Sequence, residues 1–291
     1  TEKINEAIEE ACGIQNLVVT LPESRNDLLT EIINHPDVAL VVATGGRKMM
    51  SHVLCSPKRV IAGGPANPVA IVDETADLAK AAKDISDGAS FDNNIMCISE
   101  KCIVAVESIV PAFVKQLEEN GVYYIDNETE MLQLTKTVLN HDMKMVRKME
   151  GKSAMDILEE AGIHPNRPVR LVVVRTFAKH PLVLEECLMP VVPLVAVADF
   201  EEALETALFT EQGYRHTAMV HSQCIDRLSK AAKIMNTTVF IKNGSSLAGI
   251  GLNGEEMASF TIANVTGEGI TTARDFACKR SCTLTSGFSL R

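Results

Sequence analysis

Val38-Ala39-Leu40-Val41-Val42-Ala43-Thr44-Gly45-Gly46 is the stretch on which the fold turns. An unbroken apolar run ended by small residues fits a strand buried on both faces, as in a parallel sheet. Downstream, Arg47 to Leu54 has helical spacing. Upstream, Pro22-Glu23-Ser24 opens a helix through Ile33. His35-Pro36 stops it, because proline disfavours the helical conformation in the residue before it. Earlier still, Glu2 to Cys12 reads as a helix ended by Gly13, and Leu17-Val18-Val19-Thr20 as a short strand. Helices alternating with apolar strands imply a doubly wound α/β unit. Small residues at a strand's carboxyl end admit a ligand close to the backbone, and the following helix N-terminus favours anions. Thr44, Gly45 and Gly46 are therefore candidate cofactor-binding residues, with an ordinary strand-to-helix turn as the alternative reading.

The chain has 291 residues, enough for two domains with a sizeable core. A 46% hydrophobic and 23% charged composition fits a globular protein. The net charge of −10 leaves no basic surplus to meet nucleic-acid phosphates or an anionic membrane. No apolar run approaches the roughly 20 residues of a membrane span. The 8 cysteines are scattered. They form no zinc-type pairs, so no metal is expected, and packing thiols in a reducing cytoplasm are the better reading.

Beyond Gly63, strands and helices continue to alternate. Val69 to Val72, Cys102 to Val106 and Arg170 to Arg175 read as strands. Asp73-Glu74-Thr75 reads as the cap of the helix that follows. Val110 to Asn120, Glu128 to Leu139, Ser153 to Ala161 and Phe200 to Thr210 read as helices. Gly249-Ile250-Gly251-Leu252-Asn253-Gly254 matches GxGxxG in form only. A long loop separates it from the strand Thr238 to Ile241, and no ribose-binding acid follows at the right distance.

The stretch richest in chemistry is Phe91-Asp92-Asn93-Asn94-Ile95-Met96-Cys97-Ile98-Ser99-Glu100-Lys101. Cys97 lies where a helix passes through a polar loop into a buried strand. Rigid elements on both sides can hold a thiol in fixed geometry, although a cysteine also packs as a small hydrophobe.

"FDNNIMCISEK", together with "IAGGPANPVAIVDETADL" upstream, resembles the aldehyde dehydrogenase superfamily. It is most similar to the CoA-acylating branch, the acetaldehyde and propionaldehyde dehydrogenases of ethanolamine and propanediol use. The resemblance implies an α/β fold with a partial Rossmann-type cofactor domain and an α/β catalytic domain. Residues 1–63 would be the C-terminal part of the dinucleotide-binding domain, 64–265 the catalytic thiol domain, and 266–291 a return segment with an oligomerisation strand at Cys282 to Thr285. The chain opens on Thr1, and the resemblance implies that a large N-terminal portion of the family's chain is absent.

The same resemblance implies roles. Cys97 matches the nucleophile, with Met96 where proline is usual. Thr44-Gly45-Gly46 matches the segment beside the cofactor's pyrophosphate. Glu186, four before Pro190, matches the glutamate that binds the ribose next to the nicotinamide, with a solvated acidic turn as the bland alternative. His216 matches a candidate base for the CoA thiol, with Arg215 where glycine is usual, or else is a hydrogen-bonded histidine at a strand edge. Hydrolytic relatives carry a water-activating glutamate two positions before Gly63-Gly64. Here Ile61 stands, and an apolar side chain cannot abstract a proton. Thr266-Gly267-Glu268-Gly269 follows the family pattern, with Val265 for proline.

The implied reaction converts a short-chain aldehyde, NAD or NADP and CoA to acyl-CoA and reduced cofactor, through a thiohemiacetal and an acyl-thioester on Cys97. A hydrolytic dehydrogenase and a non-catalytic fragment are the alternatives. The expected partners are small aldehydes, CoA and further copies of the chain in a dimer or tetramer. The expected location is the cytoplasm, where relatives can be enclosed in a bacterial microcompartment.

Overall fold

A computed structural model of the chain describes residues 1–23, 25–283 and 285. The N-terminal unit contains α1 (Glu2–Cys12), α2 (Asn26–Asn34), β1 (Leu40–Thr44), α3 (Arg47–Leu54) and β2 (Arg59–Gly63). β1 and β2 form a two-stranded parallel sheet, with Leu40 opposite Arg59 and Thr44 opposite Gly63. Ile33, Ala43, Met50, Val53 and Ala62 make its small core. Val42, on the other face of β1, is 46% exposed, so the described residues cover this strand on one face only.

The expected strand at Leu17 to Thr20 does not form. Asn5 takes both main-chain groups of Val18: its Oδ1 accepts from the N–H at 2.9 Å and its Nδ2 donates to the C=O at 2.6 Å. A side chain thus satisfies the groups a ladder would have used, and Leu17 and Val19 stay 60% and 79% exposed. The second helix begins at Asn26, later than Pro22-Glu23-Ser24 suggests; Ser24 lies outside the described residues.

A seven-stranded sheet, all parallel, follows. In chain order it is built from β3 (Val69–Val72), α4 (Leu78–Ser90), β4 (Cys102–Val106), α5 (Val110–Glu119), β5 (Val122–Ile125), α6 (Glu128–Val138), α7 (Ala154–Glu160), β6 (Leu171–Thr176), α8 (Pro181–Leu184), β7 (Val191–Val197), α9 (Phe200–Glu211), β8 (Thr217–His221), α10 (Ile225–Met235) and β9 (Val239–Lys242). The strand order is β5-β6-β7-β4-β3-β8-β9.

Alternate residues serve opposite faces, as the period-2 pleat requires. Ala70, Val72, Ile103 and Ala105 pack under α4 and α5, against Ala81, Ile85, Phe113 and Leu117. Val69, Ile71, Cys102 and Val104 pack under α9 and α10, against Phe200, Ala207 and Ala231. Both faces are covered, which is why the strands read as continuous apolar runs rather than alternating ones.

The cap of α4 differs from the expectation. Asp77 is the N-cap, its side chain accepting from the Lys80 N–H. Asp73 is instead fully buried at the carboxyl end of β3. There it accepts from Thr75, Ser222 and Arg227, which spend all its lone pairs inside the core rather than on a helix start.

The chain then returns to the first unit through β10 (Ile262–Ala263) and β11 (Gly269–Ile270), an antiparallel pair. Asn264 Oδ1 accepts from the Gly64 N–H at 2.8 Å and Thr266 Oγ1 from the Ala62 N–H at 2.9 Å. Arg59 donates to the carbonyls of Asp275 and Ala277. Of the expected terminal strand, Cys282 and Thr283 are exposed and carry no strand, and Leu284 lies outside the described residues.

Candidate active site

Asp92, Asn93 and Asn94 have φ of 47°, 52° and 58°. Three successive left-handed residues would cost a β-branched chain dearly. Asn and Asp tolerate this region because their short polar side chains bond locally. The Asp-Asn-Asn sequence is thus what ends α4 sharply and turns the chain toward Cys97. The turn is tied down on two sides. Asn93 Nδ2 donates to the Gly151 carbonyl at 2.9 Å, and Asn94 Nδ2 to the Glu100 carbonyl at 3.0 Å.

The segment after Cys97 is clamped as firmly. Glu100 is fully buried, and its carboxylate accepts from the Ser246 N–H at 2.9 Å and from the Ser246 hydroxyl at 2.8 Å. A Cβ at Gly88 would lie 2.2 Å from one Glu100 oxygen, so α4 must carry glycine there. The GxGxxG look-alike belongs to this clamp. A Cβ at Gly249 would meet the Val239 side chain at 2.6 Å and Ile98 at 2.9 Å, so its glycine permits close packing and no phosphate is called for.

Cys97 is half-buried. Burial pushes its thiol up from the ordinary value, and Glu186 adds to the effect. The Lys101 charge and the main-chain N–H groups of Cys97 and Ile98 act in the opposite direction, favouring the thiolate. Glu186 is also half-buried, and its carboxyl is raised by burial and held back by Lys101 and the Ala66 N–H. His216 is buried, with Nδ1 2.8 Å from the Thr217 hydroxyl. Burial and the nearby Lys101 charge pull it down to about 4, so the ring is neutral at pH 7 and a weaker base than a free histidine.

The sheet explains why these residues meet. Lys101 directly precedes β4, Asn67 and Pro68 precede β3, Glu186 lies five residues before β7, and His216 directly precedes β8. β7-β4-β3-β8 are four neighbouring strands at the centre of the sheet. The thiol, the carboxylate and the imidazole therefore converge at the amino ends of the strands. Of the residues singled out in the sequence, Cys97, Glu186 and His216 share the field of one buried cation, Lys101.

Thr44, Gly45 and Gly46 stand apart, at the carboxyl end of β1, where the Gly45 N–H bonds the Gly63 carbonyl at 3.1 Å. Arg47, the first residue of α3, bridges the two regions by lying 4.9 Å over the ring of Tyr214, two residues before His216. A cavity of about 460 Å³ opens at this junction, lined by Arg47, Tyr214, Arg215 and Asn264. A second, of about 420 Å³, lies between α2 and α3, lined by Leu29, Thr30, Lys48, Met49 and His52. It is a largely apolar slot against α3, the helix that the glycine turn opens.

Sequence reasoning passed over Lys101, Asn94 and the Glu100–Ser246 pair. A charged Glu-Lys before an apolar strand reads as a solvated strand start, because such residues are seldom fully buried. Ile61 is fully buried in β2, so no proton acceptor occupies that position.

The fold and sequence are shared with known proteins. Residues 1–252 match the aldehyde dehydrogenase family. The CoA-propanoylating propanal dehydrogenase of Salmonella typhimurium is 44% identical over 99% of this chain, which spans 62% of that protein's length. A propionaldehyde dehydrogenase from Rhodopseudomonas palustris, solved with bound propionyl-CoA and also with CoA and an acylated cysteine, superposes with a TM-score of 0.92 at 40% identity. That match with the propionyl-CoA complex covers 97% of this chain and 62% of the other. A propionaldehyde dehydrogenase from the Clostridium phytofermentans fucose utilisation bacterial microcompartment gives a TM-score of 0.93 at 37% identity, covering 100% and 66%. With a family match over most of its length and a thiol loop leading into a covered parallel sheet, the chain belongs to the aldehyde dehydrogenase family.

Proposed function

We propose that this chain carries the thiol half of a CoA-acylating aldehyde dehydrogenase, which interconverts a short-chain aldehyde, NAD(P)⁺ and CoA with acyl-CoA and NAD(P)H. The observation that carries the reading is the convergence of Cys97, Glu186 and His216 about one buried cation, with Ile61 where a water-activating base would stand. In this reading Cys97 Sγ attacks the aldehyde carbonyl and forms a thiohemiacetal. The N–H groups of Cys97 and Ile98 that face the sulfur favour the thiolate before attack; as the C–S bond forms, the negative charge passes to the aldehyde oxygen, which takes up the proton lost by the thiol.

Bound NAD(P)⁺ would supply the hydride acceptor. The residues present fit such a group: the slot between α2 and α3 suits a flat ring, Thr44-Gly45-Gly46 suits a pyrophosphate, and the Glu186 carboxylate suits two ribose hydroxyls. The acyl group left on Cys97 then passes to the thiol of CoA. His216 accepts that thiol's proton as it attacks rather than beforehand, because a base held at about 4 does not deprotonate a free thiol on its own. With no carboxylate at Ile61, water finds no general base there, and the acyl group leaves as a thioester rather than an acid.

The test is to mix the chain with propionyl-CoA and read the intact mass. A propionyl adduct that disappears in Cys97→Ala is the expected result. Adducts of equal amount in both proteins would sink the assignment of Cys97. A free-acid product from the full-length enzyme would overturn the acylating reading in favour of a hydrolytic one. The proposal extends to a homo-oligomer in the cytoplasm or inside a microcompartment, and light scattering on the purified protein reads the first of these.

A further inference from the structure

Lys101 is among the largest of the fully buried side chains of the described residues, at 1% exposure. Its ammonium group donates to the Asn94 carbonyl at 2.5 Å and to Asn94 Oδ1 at 2.6 Å. Both acceptors are neutral, and among the described residues no carboxylate lies within ion-pair distance of Nζ. A buried charge without a direct counter-ion is costly, and a neutral donor would hold two carbonyl oxygens as well. The packing of the loop therefore leaves the charge itself unexplained.

The groups that face this charge come from three segments. Cys97 and Glu100 lie on its own loop, Glu186 and Cys187 lie on the segment entering β7, and His216 lies at the start of β8. Of these, Glu100 is already engaged by Ser246, Cys187 is buried and inert, and His216 is neutral. The group that must gain a negative charge for reaction is Cys97.

We infer that Lys101 is a positioning residue of the thiol loop: its ammonium fixes Asn94 in the left-handed turn before Cys97 and supplies the positive charge against which the Cys97 thiolate forms. Glu186 opposes it, so the thiol sits between one buried cation and one half-buried carboxylate. Burial brings Lys101 itself down to about 8. The support it gives the thiolate is accordingly present at neutral pH and fades as pH rises through that value. The inference rests on Cys97 being the reactive thiol, as proposed above.

The experiment follows alkylation of Cys97 by iodoacetamide from pH 6 to 10.5, read by peptide mass mapping, in the wild-type chain, Lys101→Met, Lys101→Arg and Glu186→Gln. Lys101→Met should slow alkylation about tenfold at pH 7, a shift of roughly one pH unit in the profile. The difference should shrink above about pH 8, where the native lysine loses its proton. Lys101→Arg should keep most of the rate at pH 7, and Glu186→Gln should raise it several-fold. A Lys101→Met profile parallel to wild type at every pH would overturn the inference, because a purely structural lysine would not alter pH dependence. Should Lys101→Met fail to fold, a Lys101→Arg profile that coincides with wild type above pH 8, where arginine keeps its charge and the lysine does not, would overturn it instead. Alkylation involves no CoA, so a missing propionyl adduct would sink the acylating proposal and leave the Lys101 result standing.

Discussion

The two candidate ligand regions of this chain are built in opposite ways. The Thr44-Gly45-Gly46 turn lies at the carboxyl end of a strand, with Thr44 and Gly46 exposed, and holds its shape through one strand-edge hydrogen bond and a helix start. The Cys97 loop lies at the amino ends of four strands, where Asn93 is tied to Gly151, Glu100 to Ser246, and Asn94 to Glu100 and Lys101 within the loop itself. A turn that offers main-chain N–H groups to a cofactor needs open backbone and little else. A thiol that must ionise next to a carboxylate needs charges fixed in a place water does not screen. In the proposed reading the same parallel architecture serves recognition at one edge and chemistry at the other.

Substitutions can break this contrast, beginning where the effect is largest. Cys97→Ala should reduce the propionyl adduct by at least about a thousandfold while leaving the melting temperature nearly unchanged, since a nucleophile is lost and little packing goes with it. His216→Asn should slow transfer to CoA by about 10- to 100-fold without changing iodoacetamide alkylation at pH 9 in the same proportion. Gly88→Ala drives a methyl group into the Glu100 carboxylate and the Ser246 hydroxyl. It should cost about 3 kcal/mol and lower the melting temperature by roughly 5–10 °C. Gly46→Ala is its counterpart on the open side: φ is −71° and a Cβ meets nothing within 4 Å. Its melting temperature should stay within about 1 °C of wild type while any loss appears in cofactor affinity. Comparable destabilisation by both glycine variants would erase the distinction between a clamped and an open region.

Acid stability sharpens it further. Burial pulls His216 and His221, at the two ends of β8, down to about 4. Between pH 6.5 and 4 the unfolded chain takes up protons that these folded rings refuse, so their contribution to stability is lost as pH falls. Glu100, raised to about 7 by burial, acts with the opposite sign, since the folded carboxyl is protonated before the unfolded one. His221→Gln should therefore make the loss of stability from pH 6.5 to 4 shallower by about 1–3 kcal/mol, measured by urea unfolding at each pH. An acid limb as steep as that of wild type would show that His221 is not held neutral.

Much of the fold was legible in the strands. Val69 to Val72, Cys102 to Val106 and Arg170 to Arg175 each read as apolar runs, and the structure pairs all three in one parallel sheet. The weaker signals failed for local reasons. Leu17 to Thr20 has strand composition, yet one asparagine takes the hydrogen bonds that a neighbouring strand would have needed. Asp73-Glu74-Thr75 has capping composition, yet burial commits Asp73 to Ser222 and Arg227, more than a hundred residues away. Within the site, Cys97 stood out through its loop and through family likeness. Lys101 did not, because nothing next to it in sequence says that a lysine will be enclosed.

By itself the sequence determined the α/β class, the polar Asp-Asn-Asn turn after α4 and the apolar Ile61, all of which depend on residues within a few positions of one another, and it marked Cys97 as the candidate thiol. The tertiary structure decided that Glu186 and His216 stand with Cys97 in the field of one cation and that Glu100 is locked by Ser246. Those outcomes depend on strand order. Only the β7-β4-β3-β8 arrangement brings segments separated by up to 119 positions, from Cys97 to His216, to the same end of the sheet, and no local spacing encodes that order.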